Sequence, residues 1–390
     1  MRSANTLSPT LSLGKGDSND FTSPLVGEVD ARSAAGEGMA PKAPALQSLP
    51  LSPTPLPQGE RGLKIHVVAG VLSDAEGRVL LAQRARGTHL AGLWEFPGGK
   101  IEPGESAEDA VRRELHEELA IEIGDVEPLI SIPWHYPEKS IVLHALHVRE
   151  FRGVPQGQQQ QQLRWEFPGD TTGIPMPPPD RPIVNALRLP PYYAITPEPG
   201  PSDVEFLDGL RRAIDGLPRI GERAAQAVGW ALAHRPLIQL RAKGLSPSRL
   251  RALAQQARDE ARRAGATLLL NGNVELALDL NLDGVHLPAS ELLLLGSRPL
   301  GADRWVAASC HDERELAHAA TIGVDFAVLG PVLSTASHAL PAPIGWKHFT
   351  DLCASAPFPV YALGGMSKQH IKDAKDAGAQ GIAGISAFWS

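Results

Sequence analysis

From residue 64 onward, apolar and polar residues alternate in short blocks. HVVAGVL (66–72) and RVLLAQR (78–84) are β-rich runs, and the polar DAEG (74–77) between them predicts a hairpin. GLWEFPGGKIEPGE (92–105) is a predicted loop from its glycines and prolines. The period then changes: in SAEDAVRRELHEEL (106–119), Val111, Leu115 and Leu119 recur every four residues, which predicts a helix with one apolar stripe. Ser106 is its predicted N-cap, and Glu108 and Asp109 in the first turn suit the positive helix end. SIVLHALHV (140–148) reads as a further strand. The glutamine run 158–162 and the proline cluster 175–182 read as surface loop.

After residue 191 the rhythm becomes regular. Eight short β-rich runs follow: YYAIT (192–196), PLIQLRAK (236–243), TLLLNG (267–272), DGVHLP (283–288), RWVAAS (304–309), DFAVLGPV (325–332), PVYALGG (359–365) and GIAGIS (381–386). Helical stretches such as 246–265 and 312–323 fill most gaps. Alternating strand and helix implies parallel βα units, and eight of them are the count that closes a (β/α)8 barrel. The competing architecture is a doubly wound open sheet. The barrel is favoured because the last strand runs to the chain end with nothing left over.

Residues 1–62 show neither helical nor strand period, and six prolines fall within 41–57. Such a segment buries too little surface to offset its chain entropy, so a disordered extension is expected. LSPTPLPQGERG (51–62) also resembles translated intergenic repeats of bacterial genomes, so the native start is expected near Leu63. The expected division is therefore 1–62 extension, 63–190 first domain and 191–390 barrel.

Composition narrows the class. With 390 residues, 43% apolar and 21% charged, the chain has ample material for two or three cores. A net charge of −7 argues against a general polyanion binder, so no direct nucleic-acid partner is expected. No apolar run reaches the ~18 residues of a membrane span, and the N-terminus lacks an apolar signal core. Cys310 and Cys353 are too few for a disulfide framework or a four-cysteine zinc site. They read as structural thiols, and a cytoplasmic location is expected.

The strongest chemical signal is G-x5-E-x7-R-E-L-x-E-E, through Gly99, Glu105, Arg113, Glu114, Leu115, Glu117 and Glu118. Glu114, Glu117 and Glu118 stand at i, i+3 and i+4, so one helix face carries all three. Their mutual repulsion makes sense if a divalent cation sits among them, and hard Mg²⁺ or Mn²⁺ prefers oxygen ligands that bridge to phosphates. Read alone, the acidic run would be a solvated helix face. The whole spaced pattern resembles the Nudix box of diphosphate hydrolases, whose fold is an α/β/α sandwich. The glycine that usually ends the acidic helix is Ala120 here.

LWEFPGGKIEPGESAEDAVRRELHEEL is very similar to the MutT-type 8-oxo-dGTP diphosphatases of that family, over residues 64–188. The resemblance implies that Glu114, Glu117 and Glu118 hold metal with the Gly98 carbonyl, and that Glu114 is the general base. Glu105 would support them through Arg113. It further implies substrate contacts from Arg84, His89, Glu95, Phe96, Pro97, Gly98 and Lys139. The family's asparagine for the oxidised purine falls at Asp180. An ionised aspartate only accepts hydrogen bonds, whereas asparagine donates and accepts; a protonated Asp180 would do both. A further metal carboxylate of the family is Arg164 here, beside Trp165.

Residues 192–390 resemble thiamine phosphate synthases and the related TenI tautomerases. QLRAK (239–243) matches the segment that binds a pyrimidine diphosphate, which implies ligand contacts from Gln239, Arg241 and Lys243. Asn271, Ser309, Thr335, Ser337, Gly365, Ile385 and Ser386 fall at other ligand positions. The synthase's first Mg²⁺ aspartate is Gly272, its second is Glu291, and a lysine is replaced by His338. An imidazole with a near-neutral pKa suits proton transfer in a tautomerisation.

The expected function is therefore Mg²⁺-dependent (or Mn²⁺-dependent) hydrolysis of 8-oxo-dGTP to the monophosphate and pyrophosphate, which protects DNA from mutation. The barrel is expected to be a diverged thiamine phosphate synthase or TenI homologue with a thiamine phosphate as its ligand. The alternatives are Nudix hydrolysis of a thiamine-pathway diphosphate, a barrel active as synthase or tautomerase, and a barrel that senses a ligand without turning it over.

Overall fold

The computed structural model describes residues 64–85, 87–218, 234–334 and 342–389. The expected disordered extension, together with Thr335, Ser337 and His338, lies outside the described residues.

The first part holds β1 (Ile65–Leu72), β2 (Val79–Gln83), β3 (Trp94–Glu95), helix α1 (Ala107–Leu119), β4 (Glu122–Ile123), β5 (Val126–Tyr136), β6 (Lys139–Val148), β7 (Phe151–Arg152), β8 (Leu163–Glu166) and helix α2 (Asp180–Arg188). One sheet runs β1-β6-β5 and a second β3-β2-β8, with β4-β7 as a short ribbon. The period of two along β1 and β2 sorts their side chains between two cores. Val68, Leu72 and Leu80 pack with Ala110, Val111, Leu115 and Leu119 of α1. Ala69, Val71, Val79 and Leu81 pack on the other side with Ile183, Val184 and Leu187 of α2. Helix, sheet and helix thus form the expected α/β/α sandwich.

Three local expectations need correction. The turn at 74–77 forms, with the Gly77 amide donating to Asp74 O at 3.0 Å, but the flanking strands do not pair as a hairpin. Their backbones pair only at the bridge Ser73–Val79, while β1 runs parallel to β6 along its whole length and β2 joins β3 and β8. Burying both faces of β1 was worth more than extending the local turn. Strand β5 was not expected: Pro128 and Pro133 interrupt its pattern, and its register shifts between Pro128 and Ile130. The proline cluster is not a surface loop. Met176, Pro177, Pro179 and Asp180 are buried, and α2 begins at Asp180. Pro179 and Pro182 fit there because the first helical turn needs no intrahelical N–H donors.

Helix α1 begins as expected, with Ser106 Oγ accepting from the Asp109 amide at 3.1 Å. It ends at Ala120, which takes the left-handed conformation (φ 53°, ψ 40°) that glycine adopts without strain. Ala120→Gly is expected to stabilise the fold by about 0.5–1 kcal/mol, read as a higher urea midpoint, because relief of the left-handed strain exceeds glycine's extra chain entropy.

The second part is a closed barrel of eight parallel strands: β9 (Tyr192–Ile195), β10 (Leu237–Leu240), β11 (Thr267–Asn271), β12 (Gly284–Leu287), β13 (Trp305–Cys310), β14 (Phe326–Leu329), β15 (Val360–Leu363) and β16 (Gly381–Gly384). β16 pairs with β9, so the open sheet is excluded. The predicted helices appear at Pro247–Arg263 and Glu313–Ile322, capped by Ser246 and Asp312. Tyr193, Leu269, Phe326, Val328 and Tyr361 fill the interior. The floor is sealed by the chain arriving from α2: Leu189 joins the interior cluster and Tyr361 donates to Pro190 O at 2.5 Å. The buried Gln380 amide donates to Ala186 O and Leu189 O at 3.0 and 2.8 Å, capping the last turn of α2. Cys310 and Cys353 are buried free thiols, and burial pushes the Cys353 thiol up to about 12, which suits a structural role.

Candidate active sites

The loop 97–99 lies against β1. The Val68 amide donates to Gly99 O and the Gly70 amide to Pro97 O, both at 2.8 Å. Gly98 (φ +154°) allows this approach, since a Cβ there would stand 2.1 Å from Val68 O. At Gly99 a Cβ would stand 2.3 Å from the Glu114 carboxyl carbon, so the glycine leaves that carboxylate its seat. The loop is thereby held against α1, with the Gly98 amide donating to Glu118 Oε2 at 3.2 Å.

Arg113 organises the helix side. Its Nε and Nη2 donate to the two oxygens of Glu105, each at 3.0 Å, and its Nη1 donates to Glu114 Oε1 at 2.8 Å. The side-chain bonds from Arg113 hold the Glu105 carboxyl below its ordinary value. Glu117 is half exposed and lies 3.6 Å from Arg113. Burial, and then the charges of Glu95 and Glu114, raise Glu118 to about 7.

The donor set fits a hard divalent cation: the carboxylates are oxygen donors, and the repulsion raising Glu118 is what a cation would relieve. Among the described residues no three carboxylates or imidazoles stand together at ligating spacing. Glu118 turns to the Gly98 amide, Glu114 to Arg113 and Glu117 towards solvent. Arg164 is directed elsewhere, pairing with Glu166 and lying 5.0 Å over the Trp94 ring.

A cavity of about 230 Å³ opens beside these carboxylates. Arg84, His89, Glu95, Phe96, Gly98, Lys139 and Asp180 line it, as the sequence suggested. Pro97 does not; its carbonyl is spent on Gly70. Arg84 pairs with Glu95 and donates from Nε to His89 O at 2.6 Å. Asp180 is buried and its Oδ1 accepts from the Phe96 amide at 3.0 Å. Burial, reinforced by the Glu95 charge, pushes its carboxyl up to about 8 despite Arg84, Arg181 and the Phe96 amide, which pull it down. Tyr136 was missed. Its ring meets His89 edge-on at 5.7 Å, and Lys139 Nζ stands 5.6 Å from its centroid. The aromatic run PWHY (133–136) beside Lys139 was the available signal.

The barrel mouth holds a second cavity of about 230 Å³, lined by Gln239, Arg241, Lys243, Asn271, Ser309 and Ile385 among others. Gly365 and Ser386 lie outside its wall, and Glu291 stands beside Gly272. Gln239 Nε2 donates to Asn271 Oδ1 at 2.6 Å, while its buried Oε1 has no partner among the described residues. Below, His286 bridges Tyr193 OH (3.0 Å) and Ser309 Oγ (2.8 Å). Burial lowers His286 to about 3, so the imidazole is neutral. His311, paired with Glu315 at 2.8 Å, also lines the mouth; its place after Cys310 gave no functional signal.

The loop at Gly98 and Gly99 joins the acidic helix to the first cleft, and Arg241 and Lys243 line the second. A family model described as NUDIX domain matches residues 68–186, and one described as thiamine monophosphate synthase matches residues 213–388. The chain is 43% identical to the CTP pyrophosphohydrolase of Escherichia coli (strain K12) over 123 residues, 32% of this chain and 90% of that protein. It is 39% identical to the 8-oxo-dGTP diphosphatase of Proteus vulgaris over 89 residues, 23% of this chain and 80% of that protein. It is 36% identical to the putative thiamine-phosphate synthase 2 of Aquifex aeolicus (strain VF5) over 152 residues, 39% of this chain and 82% of that protein. The chain therefore belongs to the Nudix family in its first part and to the thiamine monophosphate synthase family in its second. Nudix hydrolases generally use a divalent metal. Among the described residues no helix is long and apolar enough to cross a membrane.

Proposed function

We propose that the Nudix part, residues 63–190, hydrolyses 8-oxo-dGTP to 8-oxo-dGMP and pyrophosphate with Mg²⁺, as a cytoplasmic enzyme that cleanses the nucleotide pool. The observation that carries this is the placement of Asp180, which lines the cleft with Arg84 and Glu95 and accepts from the Phe96 amide through Oδ1. Burial raises its carboxyl towards the protonated form, which donates and accepts as asparagine would. Glu114, Glu117, Glu118 and the Gly98 carbonyl would hold the ion, which when bound neutralises charge developing on the phosphate oxygens. Glu114 takes the proton of the attacking water. Arg113 orients Glu114 and is itself held by Glu105. Arg84, Glu95 and Tyr136 wall the base, and water attacks an inner phosphoryl group.

A second reading is a cytidine triphosphate substrate. The E. coli relative is a CTP pyrophosphohydrolase, and an ionised Asp180 would accept from an exocyclic amine of the kind cytosine carries. The barrel, residues 191–390, would bind a thiamine-type phosphate at Arg241 and Lys243.

The test is a product assay on the chain with Mg²⁺. It compares 8-oxo-dGTP, dGTP, CTP and thiamine diphosphate at equal low concentration. The expected result is the highest kcat/KM for 8-oxo-dGTP, with pyrophosphate released. Preference for CTP would select the second reading, and preference for thiamine diphosphate would overturn both.

A further inference from the structure

Two anion donors at the barrel mouth are already engaged by the chain itself. Glu198 lies three residues beyond β9. Its Oε1 accepts from the Gly244 amide at 2.5 Å, and its Oε2 accepts from Arg241 Nη1 at 3.3 Å. A guanidinium and a backbone N–H converging on two oxygens of one anion is how loops hold phosphate. Here a carboxylate sits in that cradle. The loop is also fixed to the end of β9, since the Arg241 amide donates to Thr196 Oγ1 at 2.9 Å.

The neighbouring strand end, after β11, lacks a metal carboxylate of its own. Position 272 carries no carboxylate. Gly272 is left-handed (φ +64°), and Glu291 Oε1 stands 2.7 Å from where a Cβ there would be. The residues present therefore do not reproduce the paired carboxylates that would hold a metal on a diphosphate. Arg241 is paired with Glu198, which leaves Lys243 as the other cation lining the mouth. Among the described residues Lys243 makes no ion pair, so it is the cation left for a single phosphate.

We propose that Glu198 is a built-in anion that occupies the Arg241 and Gly244 donors and so sets the barrel's preference for phosphate over diphosphate ligands. The proposal rests on the reading of the barrel as a phosphate binder. It makes Glu198 a specificity residue, one that a ligand with a second phosphate group must displace.

The experiment is calorimetric titration of the full chain with inorganic phosphate and with pyrophosphate, each with and without Mg²⁺. It is run on the parent, Glu198→Gln and the double variant Arg241→Gln/Lys243→Gln. The Nudix part also meets these anions, so barrel binding is read as the difference from the double variant, which lacks both cations of the mouth. Glu198 is partly exposed, and glutamine keeps its size; circular dichroism checks that the fold is retained. The expected result is that Glu198→Gln tightens barrel binding of pyrophosphate by about tenfold, changes phosphate binding by less than about threefold, and needs no Mg²⁺. Equal pyrophosphate binding by the parent and Glu198→Gln, with phosphate bound normally, overturns the role of Glu198 alone. Mg²⁺-dependent tightening in the parent overturns it as well. Absence of any signal lost in the double variant, for either anion, overturns the phosphate-binding reading itself, and the proposal with it.

Discussion

Glu118→Gln is expected to lower Mg²⁺-dependent hydrolysis by about three orders of magnitude while leaving the fold intact. The side chain keeps its shape, and the glutamine oxygen still accepts from the Gly98 amide, which now meets Glu118 at 3.2 Å. What disappears is one negative charge among Glu95, Glu114 and Glu118. Those neighbours, together with burial, raise the carboxyl to about 7, above its ordinary value. A carboxyl whose folded value exceeds its unfolded one contributes stability at low pH that is lost as pH rises through about 7. At pH 8 the variant should therefore melt no lower than the parent. Loss of activity with no loss of Tm distinguishes a metal ligand from a packing residue. Glu117→Gln should show the same loss of rate with the fold retained, since its half-exposed side chain has little packing to lose. Near-normal rates in both variants would refute the carboxylate assignment.

Asp180→Asn is the second large effect, and it appears in selectivity. Around pH 7 the parent and variant should use 8-oxo-dGTP at similar kcat/KM, because a protonated aspartate and an asparagine offer the same donor and acceptor. As pH rises through about 8, Asp180 ionises and its donor is lost. The parent's kcat/KM for 8-oxo-dGTP should fall about tenfold by one unit above that value, relative to the variant, whose profile carries only the substrate's own ionisation. Use of CTP should move the other way in the parent, since an ionised Asp180 accepts from an amine. In the Asp180→Asn variant that pH-dependent exchange should vanish. Stability gives an independent check. The folded value lies above the ordinary 3.8, so Asp180 contributes stability below about pH 4 that is lost as pH rises to about 8. The variant should out-melt the parent at pH 8.5. Parallel pH profiles for the two proteins would remove Asp180 from base recognition.

Much of this protein was readable where the determining forces are local or periodic. Helix α1 followed from a four-residue apolar recurrence and a serine cap, both properties of adjacent residues. The barrel followed from eight repeats of one alternation, because parallel strands need a crossover between them and eight such units close. The carboxylate spacing placed three acids on one helix before any contact was known. Pairing was not readable in the same way. The turn at 74–77 suggested a hairpin, yet β1 found β6, some seventy residues on, since both its faces had cores to fill.

The sequence by itself determined the two folds, their order and the acidic helix, since these rest on short-range propensity and on repeated burial patterns. Only the tertiary structure decided the electrostatics. Asp180 looked like part of a surface loop. Burial against Phe96, with Glu95 nearby, changes its protonation and so its chemistry. Glu198 stood in no motif, and its hold on Arg241 and Gly244 arises because the ends of β9 and β10 are neighbours in the closed barrel. Burial and charge proximity depend on residues distant in the chain, so no local pattern could have announced either one.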